Sequence, residues 1–298
     1  MRRPEAGPGV APVGAALVGV FLYSLSPVLV RASELSGPVF AFWRMLLAVP
    51  VLLLAVAVAR RGRPEPVGAG NGWWLPVAGG VGLAANQLAT MSALKLTSVA
   101  NVALIGTLAP LIIAGLGVWL LRERQRPMFW VWTLVAMAGA MFVVVAESGG
   151  VDASVWGMVL ALVGVVAFAV FMLCARHSSR TLSQFLFRST VAGAVLLTGF
   201  VLVTGADLTV GSRADLLRVA AVVLGSGTVG HWLFTWSLRA TSAGFGAVMR
   251  LLQPVLAGII AWLLLAESVT APQLIGGGVI LAGVTAVVLE SRRPPPLV

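Results

Sequence analysis

Long apolar stretches separated by short polar breaks run the whole length of the chain, at 10–31, 37–59, 73–94, 98–121, 128–146, 154–175, 181–203, 214–238, 242–265 and 270–290. Each holds roughly 18–25 residues, and a helix rising about 1.5 Å per residue crosses a hydrocarbon core of about 30 Å with about 20. The pattern predicts an all-α membrane protein of ten transmembrane helices. The breaks are too short for a soluble domain. Gly149-Gly150, followed by Asp152, separates the first five stretches from the second five. This gives two five-helix repeats, 1–148 and 149–298, the second ending in a short polar tail opened by Pro294-Pro295-Pro296. The first stretch follows Arg2 and Arg3 and meets no small-residue cleavage site before more apolar helix, so it reads as a retained helix rather than a signal peptide.

The second five stretches repeat the first. At an offset of about 144 residues, Thr97-Ser98 falls on Thr241-Ser242, Pro110 on Pro254, Leu120-Leu121 on Leu264-Leu265 and Glu123 on Glu267, the self-similarity of an internal duplication. The loop charges do not repeat. Arg122, Arg124 and Arg126 fall on Ala266, Ser268 and Thr270, while Arg60, Arg61 and Arg63 fall on Thr204, Gly205 and Asp207. Lys and Arg are retained on the cytoplasmic side, and a repeat with an odd number of helices sets its second copy upside down. The expected architecture is a pair of inverted repeats around a central cavity. With the N-terminus inside, Arg176, Arg180, Arg239, Arg292 and Arg293 join the first-half loop cations on the cytoplasmic face. Arg31, Lys95, Arg213 and Arg218 lie outside, so both termini are expected in the cytoplasm.

Composition agrees: 59% of the 298 residues are hydrophobic and 10% charged, against about 25% charged in soluble domains. The net charge of +10 is accounted for loop by loop, and no soluble domain is left to carry a nucleic-acid-binding face. Cys174 is the only cysteine, which excludes an intramolecular disulfide or a cysteine-rich metal site and leaves helix packing as its role. Very little lysine beside abundant Arg, Ala, Gly and Val is the composition of a high-GC bacterial genome, and the expected location is the bacterial plasma (inner) membrane. Glycines inside the stretches, among them Gly79, Gly80, Gly82 and Gly276, predict close helix approach. Trp73, Trp74, Trp130, Trp132 and Trp156, all near span ends, predict interfacial anchors.

The segment Leu264-Leu265-Ala266-Glu267-Ser268-Val269-Thr270, continued by Gln273-Leu274-Ile275-Gly276 and Leu281-Ala282-Gly283-Val284, resembles the close of an EamA-type transporter of the drug/metabolite transporter superfamily. So does Leu120-Leu121-Arg122-Glu123-Arg124, and Ala93–Ser98 and Ser237–Ser242 resemble that family's joins between the third and fourth helices of each half. The resemblance covers almost the whole chain. It implies a ten-helix bundle with the first four helices of each half around the cavity and the fifth and tenth peripheral. Relatives of this kind move amino acids, other metabolites, nucleotide sugars or drugs. One departure is Leu252-Gln253-Pro254, where many relatives read Leu-Glu-Pro; a coupling scheme needing an acid at that point has none here.

Pro110 and Pro254 sit near the middle of the fourth and ninth stretches and free the carbonyls of Gly106 and Arg250. Such interruptions at matching places mark a midplane site in inverted-repeat transporters; otherwise they are tolerated kinks. Arg250 lies roughly nine residues into its helix, about 13 Å deep, where a charge costs at least about 2.5 kcal/mol. No Asp or Glu occupies the centre of any stretch. Either Arg250 lines a wet cavity and offers its guanidinium fork to an anionic group of the substrate, a carboxylate for choice, or backbone carbonyls at the kinks satisfy it. His231 is the one histidine well inside a span, opposite Gln87 in the other half. It is the leading candidate proton carrier of a coupled cycle, or a neutral histidine bonded between helices. Asn86, Gln87, Asn101 and Gln253 are amides that need partners within the bundle, and Tyr23 and Trp236 are the favoured aromatic walls. Arg44 and Arg188 fall on equivalent positions, within snorkelling reach of an interface, with structural or gating roles. Glu123 and Glu267 stand before the fifth and tenth helices, as caps or gates.

These residues predict a secondary transporter, working by alternating access and, by family resemblance, exporting a small amphipathic metabolite. The expected partners are that small molecule and the lipid bilayer, with no nucleic acid and no cofactor, the protein being a monomer or homodimer. A flippase of a lipid-linked phosphate carrier, with Arg250 on the phosphate, is the rival reading. A passive channel is another. A multispan membrane enzyme is disfavoured, since no nucleophile with a base and no metal-spaced His/Asp/Glu cluster can be assembled.

Overall fold

The computed structural model describes residues 10–60, 73–121, 125–147, 154–256, 259 and 270–291. Arg2, Arg3, Arg61, Arg63, Arg122, Glu123, Arg124, Gly149-Gly150, Asp152, Glu267, Arg292 and Arg293 lie outside the described residues, as does most of the segment 264–270. Among the described residues the regular structure is helical throughout: α1 (Val10–Ala32), α2 (Gly37–Arg60), α3 (Trp74–Leu96), α4 (Val99–Gly106), α5 (Ala109–Leu121), α6 (Pro127–Glu147), α7 (Val155–His177), α8 (Leu182–Thr204), α9 (Arg213–Val222), α10 (His231–Ala240), α11 (Ala243–Met249) and α12 (Ala271–Ser291). A π-helix over Val223–Gly230 joins α9 to α10, and a 3-10 turn over Arg250–Leu252 follows α11.

Among the described residues, eight stretches form helices long and apolar enough to cross a membrane. The other two expected spans show why they differ. α3 has the length, but it carries Asn86, Gln87 and three glycines and is sheathed by α2, α7 and α8; a helix wrapped in protein need not be as apolar as one in lipid. The stretch 242–265 is described as far as Leu256, as α11, the 3-10 turn and one further helical turn.

The two halves meet as antiparallel copies. At the end of α1, Arg31 Nη1 donates to the carbonyls of Leu94 (2.8 Å) and Thr97 (3.5 Å) at the end of α3. At the end of α7, Arg176 Nη1 donates to the carbonyls of Leu238 (2.9 Å) and Thr241 at the end of α10. Within each half, therefore, the first and third helices point the same way. Across the halves α3 runs against α7: Gly79 faces Cys174, Gly82 faces Ala167 and Phe171, and Thr97 faces Gly157. Cys174 is thus a packing residue against α3. A Cβ on Gly80 would sit 2.6 Å from the Ser189 carbonyl oxygen, and one on Gly82 2.8 Å from that of Ala167, so only glycine allows this approach. The fifth helices, α6 and α12, pack chiefly on each other, with Gly139 facing Gly276 and Gly283 facing Ala136.

The repeated Thr-Ser pairs have a local cause. Thr97 and Thr241 end one helix, and Ser98 and Ser242 cap the next by accepting the N–H groups of Asn101 (3.1 Å) and Phe245 (3.0 Å). Both prolines follow interruptions. α4 stops at Gly106, and α5 restarts with Pro110 in its first turn, where a missing N–H costs nothing. In the second half the 3-10 turn precedes Pro254, and Gln253 N–H takes the Arg250 carbonyl that this proline frees.

Charged groups gather at the two ends of the bundle. At one end Lys95 bonds the Ser33 carbonyl, and the buried Asp215 carboxylate accepts from Glu34 N–H (3.2 Å) and Arg218 Nη1 (2.9 Å). Trp43 Nε1, near the start of α2, donates to the Leu208 carbonyl (3.1 Å), which sets the 205–212 loop at this end and Arg60, at the far end of α2, at the other. There Arg239 donates to the carbonyls of Ala175 (2.9 Å) and Arg180 (2.8 Å), and Arg126 pairs with Glu290 (2.9 Å).

Candidate functional site

The break in the ninth span delivers Arg250 to the middle of the bundle. Its guanidinium carbon lies 4.4 Å from the centroid of the Phe168 ring and 5.8 Å from that of Tyr23. Among the described residues it makes no hydrogen bond or ion pair, and its Nε is buried without a partner. α7 begins and ends 145 residues after α1 (155 against 10, 177 against 32). Tyr23 and Phe168 are therefore the same position in the first helix of each half, and one cation lies between two matched aromatic faces. A desolvated contact of this kind is worth about 2 kcal/mol.

The Tyr23 hydroxyl lies 2.8 Å from His231 Nδ1, and Phe171 and Phe234 close around the pair, with ring centroids 5.2 Å from His231 and 5.5 Å from Tyr23 respectively. Pro27, one turn beyond Tyr23 in α1, leaves the Tyr23 carbonyl without its helical N–H. His231 stands where the π-helix gives way to α10; such wide turns recur at functional sites because they break the regular backbone pairing. On the far side of His231, Arg44 of α2 lies against the π-helix at Gly227, only 5% exposed, with its Nε unpartnered. Both guanidinium charges bear on Tyr23 and His231. No carboxylate among the described residues is bonded to either arginine: Asp215 pairs with Arg218 and takes the Glu34 backbone N–H at one end of the bundle, Asp207 takes Thr209 N–H in the loop at that same end, and Glu290 pairs with Arg126 at the other. Two cations without a counter-charge in a low-dielectric interior make the centre a strong attractor for anions.

Several expected site residues lie elsewhere. Gln87 Nε2 donates to Asn86 Oδ1 (3.1 Å), and Asn86 Nδ2 donates to the Gly164 carbonyl (2.8 Å), which ties both into the α3–α7 seam; Gln87 Oε1 stays unpartnered. Asn101 donates to Thr97 Oγ1 (2.8 Å) and belongs to the cap of α4. Gln253 is half-buried, with its carbonyl near Ser24 Oγ. Trp236, expected as a cavity wall, is 40% exposed on the outer face of α10, because the buried stripe of that helix is taken by His231, Phe234, Thr235 and Leu238. His231, expected as a proton carrier, has Tyr23, the Ser226 backbone, Thr190, Thr228 and the two arginines as polar and charged neighbours, with no acidic relay among the described residues.

The expected equivalence of Arg44 and Arg188 fails. The buried positions of α8 follow those of α2 at an offset of 145, Arg44, Met45, Ala48 and Leu52 falling on Ser189, Thr190, Gly193 and Leu197, although α12 follows α6 at 144 (271 against 127). The structural counterpart of Arg44 is therefore Ser189, fully buried, and Arg188 is turned by one residue, about 100°, to the exposed face. Arg44 itself does not snorkel to an interface. Sequence reasoning missed Phe168, Thr228 and Asp215. The signal for Phe168 was its match to Tyr23, visible only at the 145-residue offset; Asp215 sits three residues after a capping serine, Ser212.

The chain matches the model of the EamA-like transporter family twice, over residues 11–145 and 155–289. It is 24% identical over 292 residues to the uncharacterized transporter YwfM of Bacillus subtilis strain 168, the match covering 93% of each chain. A solved crystal structure of 20% identity superimposes with a TM-score of 0.75, covering 95% of this chain and 98% of that one, a likeness of fold.

Proposed function

The chain belongs to the EamA-like transporter family and is a multi-pass membrane transporter, and from that premise we propose that it is a secondary transporter exporting a small amphipathic metabolite, amino-acid-like or drug-like, by alternating access. In this reading ten helices cross the bacterial inner membrane, both termini face the cytoplasm, and the repeats 1–148 and 149–298 lie inverted about the central site. The fork of Arg250 takes an anionic group of the substrate, and Tyr23 and Phe168 flank its apolar part. His231 positions the Tyr23 phenol, and Gln253 offers an amide at the mouth of the break. The interruptions at Pro110 and Pro254 are where the two halves pivot.

The observation that supports this reading is Arg250 held between two rings with no carboxylate partner among the described residues. A structural arginine spends donors on backbone carbonyls at a helix end, as Arg31, Arg176 and Arg239 do, whereas Arg250 makes no hydrogen bond among the described residues. The test is a thermal-shift screen of the purified protein against metabolites in matched carboxylate and amide forms, repeated on Arg250→Ala. The expected result is a carboxylate that stabilises the unmutated protein, while neither its amide on that protein nor the acid on the variant does so. Transport of that compound undiminished by Arg250→Ala would refute the proposal.

A further inference from the structure

The second buried arginine of the centre faces a different space from the first. Between α2, α8 and the π-helix lies a cavity barely large enough for one small solute, lined by Arg44, Thr190, Thr228 and His231 among apolar side chains such as Leu83 and Leu186. Arg44 is 5%, His231 6% and Thr228 7% exposed. Three of their polar atoms, Arg44 Nε, His231 Nε2 and Thr228 Oγ1, are buried without a hydrogen-bond partner. Arg44 lies against the π-helix at Gly227, where a Cβ would be in ordinary contact with its Nε at 3.5 Å.

All three atoms can turn a hydrogen into the cavity. A guanidinium only donates. The Tyr23 hydroxyl lies 2.8 Å from His231 Nδ1, and in the neutral tautomer whose Nδ1 accepts from it, Nε2 carries the proton. The threonine hydroxyl is free to turn its hydrogen inward. A water molecule would fill the space, but it accepts few of these hydrogens and leaves the charge of Arg44 uncompensated, and an unpaired buried charge is among the most costly features a fold can hold. A small anion answers both demands. The apolar walls favour a weakly hydrated ion, and the size of the space excludes an organic acid of more than a few atoms.

We propose that Arg44, Thr228 and His231 form a binding site for a single halide-sized anion, chloride in the cell, separate from the organic substrate's contact at Arg250. The anion neutralises Arg44 and fixes α2 against the π-helix. The proposal does not depend on what Arg250 binds, because it uses the other arginine and a cavity that Arg250 does not line.

The test uses the purified full-length protein exchanged into sodium gluconate, titrated with sodium chloride or bromide at constant ionic strength and followed by thermal unfolding. Chloride and bromide raise the unfolding temperature saturably and gluconate, too large for the space, does not. Thr228→Val, nearly isosteric, raises the half-saturating halide concentration about tenfold. Arg44→Met abolishes the halide dependence, and Arg188→Met leaves it intact. If Arg44→Met does not fold, Thr228→Val carries the test. A halide response absent from the unmutated protein, or present at equal strength in Thr228→Val, overturns the proposal. Saturation by acetate at the same concentrations as chloride would show a carboxylate site instead, and overturns it equally.

Discussion

Arg31 and Arg176 do the same thing in the two halves: each reaches from the end of a first helix to the last carbonyls of a third, Leu94 and Thr97 in one case, Leu238 and Thr241 in the other. The centre of the bundle differs. Arg250 stands opposite Gly106, His231 opposite Gln87 and Arg44 opposite Ser189. Helix ends carry orphan carbonyls that any copy of the fold must satisfy, so duplication preserves their partners. In the proposed reading the middle of the bundle meets a solute without two-fold symmetry, and there the halves are free to specialise. The scaffold is duplicated, whereas the cationic chemistry is drawn unequally from the two copies.

The largest effect that separates the two regions falls on Arg250. Arg250→Ala lowers substrate affinity about 100-fold, the loss of a charge-assisted contact, with little change in the unliganded unfolding temperature. Isothermal titration and a melting curve on one preparation read both. Next come the helix-end clamps: Arg31→Met and Arg176→Met each cost about 2 kcal/mol, the worth of hydrogen bonds to a charged donor, and cost it equally. Unequal losses in denaturant unfolding would break the claim that the ends are true copies. Tyr23→Phe removes the bond to His231 and costs about 1 kcal/mol, while the ring stays against Arg250; stability falls measurably and substrate affinity changes less than twofold. The smallest effect belongs to Arg188→Gln and Trp236→Phe, which face outward and change stability by less than about 0.5 kcal/mol. A large loss at Arg188 would mean that it shares the environment of Arg44.

The positions of the described helices, the duplication and both proline breaks were legible in the chain, because long apolar runs and paired prolines act through local backbone physics. The placement of Arg250 at the centre was legible too, from depth and the want of an acid. What escaped was register. The halves differ in offset by one residue between their second and third helices, which is invisible in a loop and rotates a helix by about 100°. That shift hid the match of Tyr23 with Phe168 and made Arg188 look like the twin of Arg44. Asn86, Gln87 and Asn101 show the other limit, since an amide in an apolar run is equally well explained by a neighbouring helix or by a ligand. The π-helix at Val223–Gly230 leaves no periodic signature in a stretch so rich in glycine.

The account rests on two antiparallel halves crossing the membrane in opposite senses, and site-directed labelling tests this most directly. In a Cys174→Ser background, Arg60→Cys and Ala206→Cys are exposed in turn to a membrane-impermeant maleimide in right-side-out and inside-out vesicles. The account predicts that position 60 labels only from the cytoplasmic face and position 206 only from the outer one. Labelling of both positions from the same face would contradict it.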